Sequence, residues 1–228
     1  MTTMYRNATA PAGLRVSAPS RTTQPPFRPY RDGGKRLMDL VLITISAPLV
    51  LMVVGCLALI VALNGGQPFY SQQRVGRNGR HYRMWKLRSM VVDADARLEQ
   101  FLASDPAARA EWDRTQKLKA DPRITAFGRI LRASSLDELP QLWNVFLGDM
   151  SLVGPRPMLP SQTNMYPGSA YYRMRPGLTG TWQVSVRNDS DFADRSRCDT
   201  LYDNRLSLPE DLRLLAATVR VVAKATGY

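Results

Sequence analysis

The sequence predicts an α-rich α+β chain: a monotopic membrane protein with one kinked re-entrant membrane helix, interfacial amphipathic helices and a small β-hairpin. Three observations carry that reading. The 24 residues from Leu40 to Leu63 contain no charged side chain, and as a helix they would run about 36 Å, more than the hydrocarbon core of a bilayer. Basic residues flank this run on both sides. Beyond it, one short stretch alternates as paired strands do, while most of the remainder carries helical spacing. The mean hydropathy of −0.26 excludes a polytopic membrane protein and a wholly disordered chain alike.

Taken in order, residues 1–34 are rich in Thr, Pro and Arg without hydrophobic periodicity, and they read as a flexible basic leader. A secretory signal does not fit, because the apolar run starts too late and no small-residue cleavage site follows it. Residues 35–64 form the membrane-inserted helix. Pro48 deletes a backbone hydrogen bond in its first half, and the hydroxyl of Ser46 stands ready to satisfy the freed carbonyl at the kink. Arg28, Arg31, Lys35 and Arg36 precede the run; Arg74, Arg77, Arg80, Arg83, Lys86 and Arg88 follow it. The positive-inside tendency places both ends on the cytoplasmic side, which a re-entrant helix satisfies; a plain single pass is the alternative.

Residues 65–228 make the cytoplasmic domain. Tyr70–Val75 and His81–Leu87 read as strands about a Gly76–Gly79 turn. Asp93–Leu118 reads as helix interrupted at Pro106; it is amphipathic enough to lie along the membrane interface, although a solvated face packed on a small core is the default. Another helix follows Pro140, Ser151–Asn188 is loop-rich, and the last helix spans about 209–224.

Lys and Arg total 31 against 19 Asp and Glu, a net charge of +12, so the partner expected is anionic. One histidine (His81) and two cysteines (Cys56 and Cys198) exclude a disulfide framework and a His/Cys zinc site. Any divalent ion would sit on oxygen. No P-loop or Gly-x-Gly-x-x-Gly turn is present, so ATP and dinucleotide folds are poorly supported.

Asp137 and Glu138 precede Pro140, a residue tolerated only in a first helical turn, with Ser134 or Ser135 as N-cap. A helix start favours ionised carboxylates fit for nucleophile or metal ligand, and adjacent residues pointing about 100° apart would take different roles. Acidic residues are common in first turns for that reason alone. Arg156 lies between Pro155 and Pro157, and Arg175 precedes Pro176-Gly177; fixed arginines beside turn formers suit bidentate phosphate binding. Lys86 and Arg88 add two cations at a strand end.

These residues stand in ordered motifs: Phe69-Tyr70, Arg74-Val-Gly76, Trp85-Lys86-Leu-Arg88-Ser-Met90, Ser135-Leu-Asp137-Glu138-Leu-Pro-Gln141, Gly148-Asp-Met-Ser-Leu-Val-Gly-Pro-Arg-Pro157 and Arg175-Pro-Gly-Leu-Thr-Gly180. From about Lys35 to the C-terminus the chain resembles the bacterial sugar transferase family, the monotopic polyprenyl-phosphate phosphoglycosyl transferases. It is most similar to the short exopolysaccharide-initiating members, which lack the extra N-terminal helices of longer relatives. The resemblance implies transfer of sugar 1-phosphate, with galactose or glucose the expected hexose, from a UDP-sugar to undecaprenyl phosphate with release of UMP, at the cytoplasmic face of the bacterial inner membrane. It implies Asp137 as nucleophile, Glu138 (with Asp137) on Mg2+, and Lys86, Arg88, Arg132, Arg156 and Arg175 on phosphates. Asp199 and Tyr202 match a weaker Asp-x-x-Tyr pattern. Two departures are Ser46-Ala47-Pro48 where the family has a Ser-Pro pair, and Val186 where many short members have Gly. An N-acetylhexosamine donor is the nearer alternative. A non-catalytic basic protein on a membrane surface or nucleic acid is the remote one, and a membrane segment makes nucleic acid an improbable partner.

Overall fold

The computed structural model describes residues 28–115, 118, 120–185 and 192–223. The expected leader thus falls, up to residue 27, outside the described residues. The helix begins before the expected boundary at 34: Tyr30–Gly34 forms one π-helical turn running into α1, Lys35–Leu63. α1 is long and apolar enough to cross a membrane by length and composition, and Ile45 and Leu51 are 74% and 71% exposed along its middle.

Both ends of α1 nevertheless pack against one globular body. Near its start, Arg36 donates to the carbonyls of Val145 and Phe146, and buried Asp39 accepts the Leu152 N–H at 3.1 Å. At its end, Val61 packs on Leu87 and Leu131, while Arg88 Nη2 donates to the carbonyls of Val61 and Gly65. A crossing helix would leave its ends on opposite sides of the bilayer, so the arrangement is that of a monotopic chain. Pro48 lies inside α1 as expected, but the hydroxyl has a different role. Ser46 Oγ donates to the carbonyls of Leu42 and Ile43 at 2.8 and 3.2 Å, not to that of Thr44, which the proline deprives of its donor. A Ser at i bonds most easily to i−3 and i−4, a habit that itself bends helices.

The hairpin is β1, Phe69–Val75, antiparallel to β2, His81–Leu87, paired from Phe69↔Leu87 to Val75↔His81. Asn78 and Gly79, at φ 58° and 75°, close it. α2 (Ala94–Ser104) and α3 (Pro106–Thr115) break at Asp105, whose Oδ1 accepts the N–H groups of Ala107 and Ala108 as an N-cap. Their apolar residues turn on themselves: Leu98, Leu102 and Ala108 are buried with Phe101, Trp112 and Leu118 around them. This apolar face is therefore packed on a small satellite core, the default expectation for it. The exposed apolar helix faces lie instead on α4, Ala126–Ala133, with Ile130, and on α5, Gln141–Leu147, with Trp143 and Phe146 stacked at 5.4 Å.

The main core gathers Val145, Met150, Val153, Tyr202 and Leu214. It is built from α5, the parallel pair β3 (Ser151–Val153) and β4 (Gly177–Thr179), the short helices α6 (Ala170–Arg173) and α7 (Thr181–Ser185), α8 (Phe192–Arg205) and α9 (Leu208–Ala223). α9 matches the expected last helix; α4, β3, β4, α6, α7 and α8 are additions to the expected elements. Val186, one of the two departures, lies outside the described residues.

Candidate active site

The site is organised around Lys86, near the end of β2. Its Nζ stands 2.7 Å from Glu138 Oε1 and 3.8 Å from Asp137 Oδ2. Because β2 is held by β1 on one side and by Asn144 on the other, its register is fixed. Asn144 Oδ1 accepts the Trp85 N–H and its Nδ2 donates to the Arg83 carbonyl.

The carboxylates do not open a helix, contrary to expectation. They occupy a separate 3-10 turn, Leu136–Glu138, and α5 begins only at Gln141 after Pro140. Ser134 and Ser135 are not its caps: Ser134 Oγ donates back to Ile130 and Leu131 at the end of α4, and Ser135 turns the chain at φ 57°. That left-handed residue reverses the path between α4 and the turn, carrying Asp137 under Lys86. Leu136 packs with Leu87, Leu131 and Phe127, which anchors the turn by burial.

The environments of the two carboxylates differ. Burial pushes the Asp137 carboxyl above its ordinary range, with Lys86 and Arg132 pulling it down and Glu138 repelling it. Burial also acts upward on Glu138, but the charges of Lys86, Arg156 and Arg74 and the Lys86 hydrogen bond outweigh it and hold Glu138 below its ordinary range. Glu138 is thus the fixed anion of the pair, and Asp137, 7% exposed, is the more confined.

Of the expected phosphate ligands, Lys86, Arg132 and Arg156 act on this pair. Arg132 Nε donates to Ser89 Oγ at 2.9 Å. The Arg156 guanidinium lies 5.4 Å over the Trp182 ring, with Arg195 at 4.6 Å from the same ring. Arg88 is drawn to the end of α1. Arg175 is drawn to α5, donating to the Gly148 carbonyl at 2.8 Å; burial and the charges of Arg77 and Arg36 press its pKa down. Asp199 and Tyr202 are fold residues: Asp199 accepts the Tyr166 hydroxyl at 2.9 Å, and Tyr202 donates to Asp211 at 2.6 Å.

Two cations the sequence reasoning did not single out complete the cluster. Burial and the neighbouring Arg156 lower the pKa of Arg74; its terminal nitrogens donate to Pro157 and Gln72, and its buried Nε has no hydrogen-bond partner among the described residues. Burial, with Arg156 and Arg74, pushes Arg195 down to about 10. Arg74 and Arg156 act on Glu138 and Arg195 adjoins them, an arrangement of mutually repelling guanidiniums whose chemistry suits a polyanion. The position of Arg74 inside its Arg-Val-Gly motif was the available signal; nothing local marked Arg195.

A divalent cation fits the donor set in part. Among the described residues no group of three or more His, Cys, Asp or Glu side chains stands close enough to hold a metal. Asp137 and Glu138 supply two carboxylates, and Mg2+ commonly takes one or two with substrate phosphates completing its shell.

Residues 30–225 match the family model described as bacterial sugar transferase. The chain is 47% identical over 195 residues to a UDP-galactose-lipid carrier transferase of Erwinia amylovora, an alignment that covers 85% of this chain and 41% of that protein. It is 42% identical over 229 residues to the exopolysaccharide production protein ExoY of Sinorhizobium fredii, covering 97% and 99%. It is 36% identical over 203 residues to a UDP-glucose:undecaprenyl-phosphate glucose-1-phosphate transferase of Caulobacter vibrioides, covering 82% and 69%. The chain therefore spans under half the length of the Erwinia relative and nearly all of the Sinorhizobium one.

Proposed function

The chain belongs to the bacterial sugar transferase family, and from that premise we propose that it transfers hexose 1-phosphate from a UDP-sugar to undecaprenyl phosphate, releasing UMP, as a membrane step of exopolysaccharide synthesis. Relatives named for galactose and for glucose support a hexose donor. The observation that carries the proposal is a carboxylate pair held under Lys86 and bordered by Arg74, Arg132 and Arg156, with Arg195 beside Arg156. A merely basic membrane-binding surface has no use for buried acids at its centre.

Asp137 is the nucleophile. Its carboxylate oxygen attacks the sugar-bearing phosphorus of the donor; the phosphoanhydride bond breaks and UMP leaves with the electron pair. The phosphate of undecaprenyl phosphate then attacks the same phosphorus, the aspartyl bond breaks, and the carboxylate returns. Splitting one displacement into two suits a confined nucleophile. Lys86 and the arginines offset the repulsion between an anionic nucleophile and a diphosphate, and the unpartnered Nε of Arg74 is a donor awaiting an acceptor. Glu138, with Asp137, would hold Mg2+ against the diphosphate oxygens, where the ion supplies further charge neutralisation. Both basic flanks of α1 and both its seated ends support a re-entrant helix in the bacterial inner membrane with this site on the cytoplasmic face.

UMP release measured over a panel of UDP-sugars, with and without undecaprenyl phosphate, tests the reaction. Turnover with UDP-galactose or UDP-glucose is the result expected. No UMP from any UDP-sugar, from a protein that is folded and membrane-inserted, would defeat the proposal.

A further inference from the structure

Resting on that reading, we infer that the lipid phosphate is received in a cavity at the C-terminal end of α1, where Arg88 takes its phosphate. The cavity, about 140 Å³, is lined by Val61, Asn64, Gly65, Arg88, Val92 and Phe127 among others, and no carboxylate contributes to its wall. It therefore offers one cation within a largely apolar surround, the complement of a phosphate monoester on a hydrocarbon chain. A nucleotide sugar, polar throughout, is better matched by the Arg74, Arg156 and Arg195 cluster.

The guanidinium of Arg88 is only partly engaged. Nη2 donates to the carbonyls of Val61 and Gly65, and among the described residues Nε and Nη1 make no hydrogen bond, so a fork of donors remains for an anion. Position links the cavity to the membrane. Val61, in the last turn of the apolar helix α1, and exposed Val92 are both part of its wall, so an isoprenoid chain can follow the end of α1 while its head enters. Position also links it to the nucleophile. Arg88 lies two residues past Lys86, about 7 Å along extended backbone. Ser89, next in sequence, receives the Nε–H of Arg132, whose charge acts on Asp137. Arg88 is thus joined through Ser89 and Arg132, and along β2 through Lys86, to the neighbourhood of the aspartate.

The test uses the full chain in nanodiscs, with KM for undecaprenyl phosphate and for the UDP-sugar measured separately, together with the UMP burst from donor alone. Arg88→Met is expected to raise the lipid KM about 10-fold or more, the usual weight of a charged hydrogen bond, and Arg88→Lys to recover part of it as a point charge. Because Arg88 also holds the end of α1, Val92→Trp provides an independent variant: Val92 is 67% exposed, and the larger ring closes the mouth without entering the core. It too should raise the lipid KM, with the donor KM and the burst moving less than about twofold in each variant. A donor KM that rises in parallel, or a lipid KM that none of the variants changes, overturns the inference. So does a defect relieved by adding phosphatidylglycerol and not by undecaprenyl phosphate, since the cavity would then serve bulk lipid. Failure of the wild-type chain to release UMP at all would instead strike the underlying reaction.

Discussion

Removing Lys35 should loosen the membrane helix from the catalytic body. Lys35 Nζ lies 2.6 Å from Asp211 Oδ2, with side-chain exposures of 11% and 0%. The same carboxylate accepts the hydroxyls of Tyr30 and Tyr202, each at 2.6 Å, so one buried anion ties the turn before α1 to α8 and α9. At that separation and an effective dielectric of about 20 the attraction is about 6 kcal/mol, most of it offset by desolvation. Lys35→Met removes the attraction and leaves the desolvation. Stranding a buried charge costs about 3–5 kcal/mol, or about 6–20 °C in Tm at the sensitivity of a chain this size. The two tyrosines still donate, which favours the lower end. The double variant Lys35→Met/Asp211→Asn removes the stranded charge and keeps an acceptor for the hydroxyls, so it should unfold at a higher temperature than Lys35→Met alone. Thermal unfolding of the detergent-solubilised variants gives the coupling, expected at about 1–3 kcal/mol. A loss below about 3 °C for the single variant, or strict additivity in the double, would refute the reasoning.

Three other outcomes are expected. Burial pushes the Asp199 carboxyl up to about 7 from an ordinary 3.8, against the Tyr166 hydroxyl and Arg195, which favour its charge. Its contribution to stability is therefore complete below about pH 4 and lost as pH rises toward 7, so Asp199→Asn should flatten the fall in Tm over that window; an unchanged slope would mean another group sets it. A Cβ on Gly154 would enter the Arg175 carbonyl and stand 2.9 Å from the Gly177 nitrogen, backbone that cannot yield cheaply. Gly154→Ala should cost about 1–3 kcal/mol by thermal unfolding, and a neutral result would show that β3 and β4 can separate. For topology, cysteines placed singly at Gly33, where added bulk meets nothing within 4 Å, and at exposed Arg80, in a chain with Cys56 and Cys198 replaced by Ser, should both resist an impermeant maleimide in intact cells. Labelling of Gly33→Cys alone would mean that α1 crosses.

The signals legible in the sequence were those with a short period or a fixed neighbour. The charge-free run gave α1, alternation about a Gly-rich turn gave the hairpin almost to the residue, and Asp137, Glu138 and Lys86 stood out by type and motif. What was not legible depended on distant packing. The aspartate turn looked like a helix start because Pro140 follows it, but the left-handed Ser135 and the burial of Leu136 set a separate turn. Arg175 carries the same local pattern as Arg156, a cation beside turn formers, and Arg88 stands with Lys86 at a strand end. Only the tertiary structure sends Arg88 to the end of α1 and Arg175 to the Gly148 carbonyl. Arg195 sits in a helix whose spacing is mostly polar, so its approach to Trp182 had no local signature. The apolar positions of α2 and α3 are legible among the charges, and the small core that covers them is the default expectation.

The central claim, that Asp137 carries the sugar phosphate, is tested most directly by mixing the protein with sugar-labelled UDP-galactose or UDP-glucose and no lipid acceptor, then measuring UMP and protein-bound label together. Attack by Asp137 predicts a burst of UMP no larger than the amount of enzyme and matched by label on the chain. The label should be discharged when undecaprenyl phosphate is added, and both burst and label should be absent in Asp137→Asn. No UMP and no label until the acceptor arrives, with intersecting double-reciprocal plots, would mean direct displacement between the two substrates and would contradict the account.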